Sequence, residues 1–395
     1  MKPSIGRSPS ICAVIPVVVL SVLSACATTA EGAGSGAYTQ NTDEAYRALG
    51  ITRGVIEPWE DGMRTTGAPG DYEWWYFDFR LDDGSTLVVV FYTKAEMSGM
   101  GLRPAVTFDL DRPDGSRVSR SVRVGAGAFT ASRERCDVTI GQNRVSGDLH
   151  AYDIHVDIED VRADLRLTGT VPSWRPETGV SVFGDGGRRF FAWLPSVPRG
   201  DVSGTISVGE ETIPARGSGY HDHNWGDTFL PTLIHHWYWG RAQVGEYSLI
   251  ASWITAADSY GGNSIPVFML AKEGRIVAED GSMVRFSAED VRVNEATGKP
   301  VANRLVYEYD DGARRYRVTF QWCADLMEAR FVDGVGGWKR FIALVSGFDG
   351  AYLRFTGSVT VERFEGEEVV ETATEDAAVW ELMYFGKAPE GEGGR

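Results

Sequence analysis

Four of the six histidines in this 395-residue chain fall between positions 221 and 236: His221, His223, His235 and His236. Imidazole changes charge near neutral pH and also ligates metals, so the clustering points to proton transfer or ion coordination. The first pair lies in Gly219-Tyr220-His221-Asp222-His223-Asn224-Trp225-Gly226-Asp227. On an extended backbone His221, His223, Trp225 and Asp227 share one face, and Tyr220, Asp222 and Asn224 take the other. The second pair opens His235-His236-Trp237-Tyr238-Trp239-Gly240-Arg241, where His235, Trp237, Trp239 and Arg241 project together. Upstream, Asp71-Tyr72-Glu73-Trp74-Trp75-Tyr76-Phe77-Asp78-Phe79 is the most aromatic stretch, with Glu73 on the face of Trp75, Phe77 and Phe79. A carboxylate in that company must be hydrogen-bonded, paired with a cation or protonated, and burial raises its proton affinity toward the range of a general acid.

The elements that carry these groups read as strands. Ala163, Leu165 and Leu167 alternate with Arg162, Asp164, Arg166 and Thr168, and the same period of two runs through Tyr316, Val318, Phe320 and Trp322 and through Leu353, Phe355, Val359 and Val361. Asp83-Gly84, Asp114-Gly115, Asp280-Gly281, Asp311-Gly312 and Asp349-Gly350 supply hairpin chemistry at strand-like intervals. One short amphipathic piece, Asp43 to Leu49, reads as helix. Numerous strands, each apolar on one face, must curl to hide that face, which predicts an all-β molecule of two antiparallel, lipocalin-like barrels in tandem. The Gly- and Pro-rich stretch Gly217 to Pro231 is the expected boundary, dividing residues 46–228 from residues 229–395. No internal sequence repeat accompanies this division.

The first residues carry an address. Lys2 and Arg7 precede an apolar run from Ile11 to Val22, too short to span a bilayer, and Leu23-Ser24-Ala25-Cys26 closes it with the pattern at which bacterial lipoproteins are cut and acylated. Residues 1–25 are therefore expected to be a signal peptide, Cys26 the lipidated residue and residues 26–45 a flexible tether. The uncharged Ala27 and Thr28 point to the outer membrane, facing the periplasm. A formal net charge of −16 argues against nucleic acid and against anionic lipid surfaces. Cys136 and Cys323 lie in opposite halves of the chain and read as separate buried thiols. His155 sits with Asp153, Asp157 and Glu159 on a wet face. A Gly-x-Ser-x-Gly elbow, a Cys-x-x-Cys pair, a phosphate-binding glycine loop and a His-Glu-x-x-His helix are all missing from the sequence, which disfavours serine hydrolase, redox, nucleotide and zincin chemistry.

Three motifs also resemble a known family. Glu73-Trp74-Trp75-Tyr76, then Phe191-Ala192-Trp193-Leu194-Pro195 leading to Pro198-Arg199-Gly200, then Gly219-Tyr220-His221-Asp222-His223-Asn224-Trp225-Gly226 are similar, in order, to the hydroxyneurosporene synthase or carotenoid 1,2-hydratase family. That family includes lipocalin-like exported proteins and fungal cyclases of the Diels-Alder type. The resemblance implies paired barrels around an elongated hydrophobic small molecule, with no metal or organic cofactor, and a lyase, isomerase or cyclase activity. On that footing His223 and Asp222 handle protons, Glu73 is a second acid or orienting partner, and Trp225, Trp237 and Trp239 form a wall for a carbocation. His221, Trp75, Tyr238 and His235 are expected to complete the ligand chamber. The hydratases also use a Tyr and an Asp on the next strand; here it reads Tyr247-Ser248-Leu249-Ile250-Ala251-Ser252-Trp253, with Asp258 the nearest downstream acid.

Three alternatives stand beside this reading. A closed barrel with an apolar interior suits a non-catalytic lipid carrier. His221-x-His223 is a metal-ligand pair that His235 or His236 could complete, although the pattern assigns no third ligand. The His-Asp-His-Asn-Trp segment also fits a barrel-closing corner whose polar groups bond one another.

Overall fold

A computed structural model describes residues 36–95, 101–184, 189–331 and 349–386. The leader, Cys26 and the first part of the expected tether lie outside the described residues. Among the described residues no helix is long and apolar enough to cross a membrane.

Two antiparallel sheets account for the fold. The first runs from Arg117–Arg123 through Ala105–Asp111, Thr86–Tyr92, Tyr72–Leu81, Glu211–Gly226, Phe190–Val208 and Val161–Gly169 to Phe129–Ala131 at its far edge. The second runs from Arg275–Ala278 through Ser264–Lys272, Tyr247–Ala256, Ile234–Val244, Glu368–Tyr384, Ala351–Glu365 and Arg315–Arg330 to Val284–Val293. Both follow one plan. A four-strand meander runs outward, the chain crosses to the other edge, and a return meander lays its last strand beside the first. The two barrels thus repeat a topology that the sequence does not repeat.

Each sheet curls around its own core, giving the two lipocalin-like barrels expected from period and turn chemistry. Val161–Gly169 shows the driving force: Ala163, Leu165 and Leu167 are buried while Arg162, Asp164 and Arg166 face solvent. Asp83-Gly84, Asp114-Gly115 and Asp311-Gly312 close hairpins with the glycine at φ +88°, +83° and +82°. Asp280 behaves differently: its carboxylate caps the 3-10 turn Gly281–Met283. The helix Asp43–Leu49 is present, capped by Thr42 and ended by left-handed Gly50.

Three expectations need correction. Residues 37–45 are not tether: Ala37–Thr39 pairs with Val180–Phe183, and Asn263 bonds the Ala37 backbone N–H at 2.8 Å. Backbone pairing needs little side-chain apolarity, so composition alone missed it. Gly217 to Gly226 is not linker either, but the inner half of the strand Glu211–Gly226; the chain passes between sheets through residues 227–233. Glycine is required there because strands approach closely: a Cβ on Gly217 would lie 2.2 Å from the Arg80 carbonyl oxygen. Cys136 and Cys323 are separate free thiols, but only Cys136 is buried.

The barrels dock through an apolar cluster drawn from both, including Tyr72, Trp193 and Tyr220 of the first and Ile250, Ile254 and Met269 of the second. At about 1.5–3 kcal/mol per fully buried large apolar side chain, this cluster is strong enough to hold the two in register.

Candidate functional site

The strand pair Tyr72–Leu81 and Glu211–Gly226 organises every residue of the first histidine motif. Cross-strand partners are Trp225 with Glu73, His223 with Trp75 and His221 with Phe77; between them come Asn224 with Trp74, Asp222 with Tyr76 and Tyr220 with Asp78. Because side chains alternate, the first set enters the barrel and the second faces the other barrel. Asp222 and His223, expected to share proton handling, are therefore separated by the thickness of a sheet.

Inside the barrel most polar groups bond one another, while His223 Nδ1 and Asp61 Oδ1, 3.5 Å apart, are left without a hydrogen-bond partner. Glu73 accepts the backbone N–H of Arg64 at 2.6 Å, the N–H and Oγ1 of Thr65 at 3.0 and 2.6 Å, and His223 Nε2 at 2.8 Å. These contacts make Glu73 a clamp that ties the 64–65 segment to His223. His221 Nδ1 donates to the Tyr76 carbonyl at 2.9 Å, and its Nε2 meets Asp61 Oδ2 at 3.2 Å. Tyr152 donates to the same Asp61 oxygen. Burial pushes Asp61 upward, but His221, His223 and Tyr152 outweigh it and hold the carboxyl below its usual range. Trp75 and Trp225 sandwich the His223 ring at 4.8 and 4.7 Å between centroids. His221, His223 and Glu73 have no exposed surface.

Asp61, Cys136 and His221 bring one donor atom each to within 4.8 Å of one another, a grouping the sequence did not suggest. His221 already spends both ring nitrogens on Tyr76 and Asp61, so an ion there would have to displace those bonds; burial also keeps the Cys136 thiol protonated by pushing its pKa well up. His235 and His236, proposed as third ligands, lie elsewhere, bonded to each other at 2.8 Å and packed on Tyr384. Burial and its neighbour push His236 down to about 3, leaving it neutral.

Among the described residues, each barrel interior holds a cluster of aromatic and branched side chains. Open space of about 930 Å³ lies between the barrels. Its walls are the outward faces of the two central strand pairs, with Tyr76 and Asp78 on one side and Trp239, Arg241, Tyr352, Arg354 and Glu381 on the other. Register aligns Trp239 with Glu381, and Glu381 with Arg354. Arg241 pairs with Asp78 at 2.9 Å. Burial would raise Asp78, but Arg241 and Arg354 more than compensate and lower it. Glu381 goes the other way: burial dominates and raises it, although Tyr352 donates to it at 2.7 Å and Trp237 at 3.4 Å. Beside this wall, Asp222 accepts from Tyr220, Trp193 and Asn224, and burial pushes its pKa up to about 6.

The expected convergence of site residues does not occur. Glu73, Trp75, His221, His223 and Trp225 belong to the first barrel, Tyr238 to the core of the second, where its hydroxyl accepts from the Ala302 N–H, and Trp237, Trp239 and Asp222 to the interface. Sequence reading missed Asp61, Tyr76, Tyr352, Arg354 and Glu381. Arg354 and Glu381 sit outside every motif singled out in the sequence, at outward positions of neighbouring strands.

Fold and site define a class: tandem lipocalin-like barrels with a charged, aromatic cleft between them. Within that class the chain belongs to the Diels-Alderase-like family, whose family model matches residues 64–328. A quinolone epoxide rearrangement protein of Emericella nidulans, asqO, is 26% identical over 176 residues, 43% of this chain and 46% of its own. A hydroxyneurosporene dehydrogenase of Chlorobaculum tepidum is 28% identical over 220 residues, 46% of this chain and 56% of its own. The chain thus spans about half the length of the curated relatives it matches. Among solved structures, the crystal structure of an AttH from Nitrosomonas europaea superposes with a TM-score of 0.56 at 17% identity, covering 83% of this chain and 96% of that one. The family resemblance carried by the three motifs is borne out. At that identity the structural likeness speaks for the fold alone.

Proposed function

We propose that this protein is an acid–base isomerase, cyclase or hydratase that acts on a small molecule held in the cleft between its barrels. One observation carries the reading: a half-buried carboxyl, Glu381, lines the cleft with raised proton affinity, next in register to the guanidinium of Arg354 and the ring of Trp239. A carboxyl of that kind can hand a proton to carbon or oxygen and recover one elsewhere on the same molecule. Arg354 and the Arg241–Asp78 pair supply fixed charge where an oxyanion develops, while Tyr76 and Tyr352 order the donors around it. Trp239 offers apolar contact to the molecule's body. Relatives named for epoxide rearrangement and hydroxyneurosporene chemistry are consistent with rearranging a substrate by moving protons.

The chief rival is a carrier that binds the same molecule unchanged. Organic extraction of the purified protein, identification of the bound species by mass spectrometry and incubation of that species with protein in deuterium oxide separate the two. Solvent deuterium entering the molecule, or a rearranged product, is expected. Recovery of unlabelled, unchanged ligand after many equivalents of protein would sink the enzyme reading. We further propose that the protein is exported and anchored through lipid on Cys26 to the outer membrane, facing the periplasm; the support is the leader pattern of residues 1–26.

A further inference from the structure

The Pro198-Arg199-Gly200 segment interrupts a ladder. Along Phe190–Val208 and Glu211–Gly226 the paired residues Val197 with His221 and Gly200 with Gly219 leave one extra residue on the first strand, a β-bulge. The Arg199 backbone carbonyl accepts from Thr170 and Val171 N–H groups at 2.8 and 3.2 Å, and its side chain lines the interbarrel cleft. Bulges re-aim side chains, and this one places a guanidinium where regular pairing would not. The Nη1 nitrogen of Arg199 is buried and has no hydrogen-bond partner. An orphaned charged donor is unfavourable unless an acceptor from outside completes it.

The unpaired nitrogen's own positive charge favours an anion as that acceptor. Arg241 beside it is committed to Asp78, and Arg80, Arg216 and Arg354 bring further guanidiniums to a cleft that also holds carboxyls. Asp78 is paired with Arg241, burial raises Glu381, and Asp82, Asp201 and Glu375 also line the cleft, Asp201 being the carboxyl whose charge acts most on Arg199; none of them takes Nη1 as a hydrogen-bond partner. A guanidinium fork matches two coplanar oxygens that share a negative charge.

We propose that Arg199 anchors an anionic oxygen group, a carboxylate or an ionised 1,3-dicarbonyl, on the small molecule that enters the cleft, with its apolar body against Trp239. This rests on the cleft being the functional site.

Calorimetric titration of the full chain with decanoate, with ionised 2-decanoylcyclohexane-1,3-dione and with decanol tests it; the two anions distinguish the two oxyanion sources. At least one anion is expected to bind about tenfold or more tighter than decanol, and Arg199→Gln should remove that advantage while leaving decanol affinity within about twofold. Retained decanol binding also shows that the variant is folded. Arg199→Lys should restore part of the carboxylate preference. Anions and decanol binding alike, an anion preference indifferent to Arg199→Gln, or no saturable anion binding at millimolar concentration would each overturn the inference. Decanol binding lost in Trp239→Ala would still keep the cleft as the site in those cases. An Arg199-dependent anion preference without deuterium entry into the extracted ligand would keep the inference and remove the catalytic reading.

Discussion

Asp222 and His223 are neighbours in the chain that face different compartments. His223 Nε2 lies 2.8 Å from Glu73 Oε1 within the first barrel, whereas Asp222 takes the Tyr220 hydroxyl at 2.7 Å against the second. A single peptide step thus separates a structural clamp from the border of the cleft.

The clamp should matter for stability and not for turnover. Glu73→Gln or His223→Ala removes a buried hydrogen-bond partner, which typically costs about 1–3 kcal/mol. Urea denaturation should show that loss, with unchanged activity per folded molecule. Loss of turnover in a fully stable His223→Ala protein would return the histidine to the chemistry.

At the cleft, Glu381→Gln keeps shape and removes the transferable proton, so deuterium entry into the bound molecule should fall about 10²- to 10⁴-fold with the melting curve little altered. If Glu381 donates as the acid, wild-type rate should fall as pH rises through its raised pKa. A rate that is flat with pH and survives Glu381→Gln would remove this carboxyl from the mechanism.

Asp222 makes a thermodynamic prediction. Its pKa rises from 3.8 to about 6 on folding, so its stabilising contribution is full below 3.8 and is lost as pH climbs through about 6. The loss is about 3 kcal/mol at one pKa unit per 1.36 kcal/mol. Carbon NMR of the Asp222 carboxyl should titrate near pH 6, and Asp222→Asn should flatten that part of the stability profile. A midpoint near 4 would contradict it.

Lipidation is tested in cells. An alkynyl palmitate fed to a bacterium producing the full chain should label the protein and place it in the outer-membrane fraction, and Cys26→Ala should abolish both results. Label persisting in Cys26→Ala, or unlabelled protein of either type, would argue against the anchor.

Strand period, hairpin glycines and the helix Asp43–Leu49 were legible because they are local: each follows from a few adjacent side chains and the backbone they permit. The opposite faces of Asp222 and His223 were legible for the same reason, since alternation needs nothing beyond an extended chain. The three motifs were enough to reveal the family.

What only the tertiary structure decided is which face matters. Arg354 and Glu381 occupy the outward side of their strands, which becomes a cleft wall only because the other barrel faces it. Asp61 carries no motif and reaches His221 across 160 positions of sequence. The bulge that aims Arg199 exists only as a mismatch between two strands. Alternation divides residues between two faces, but burial depends on what docks against each face, and that is a contact between segments far apart in the chain.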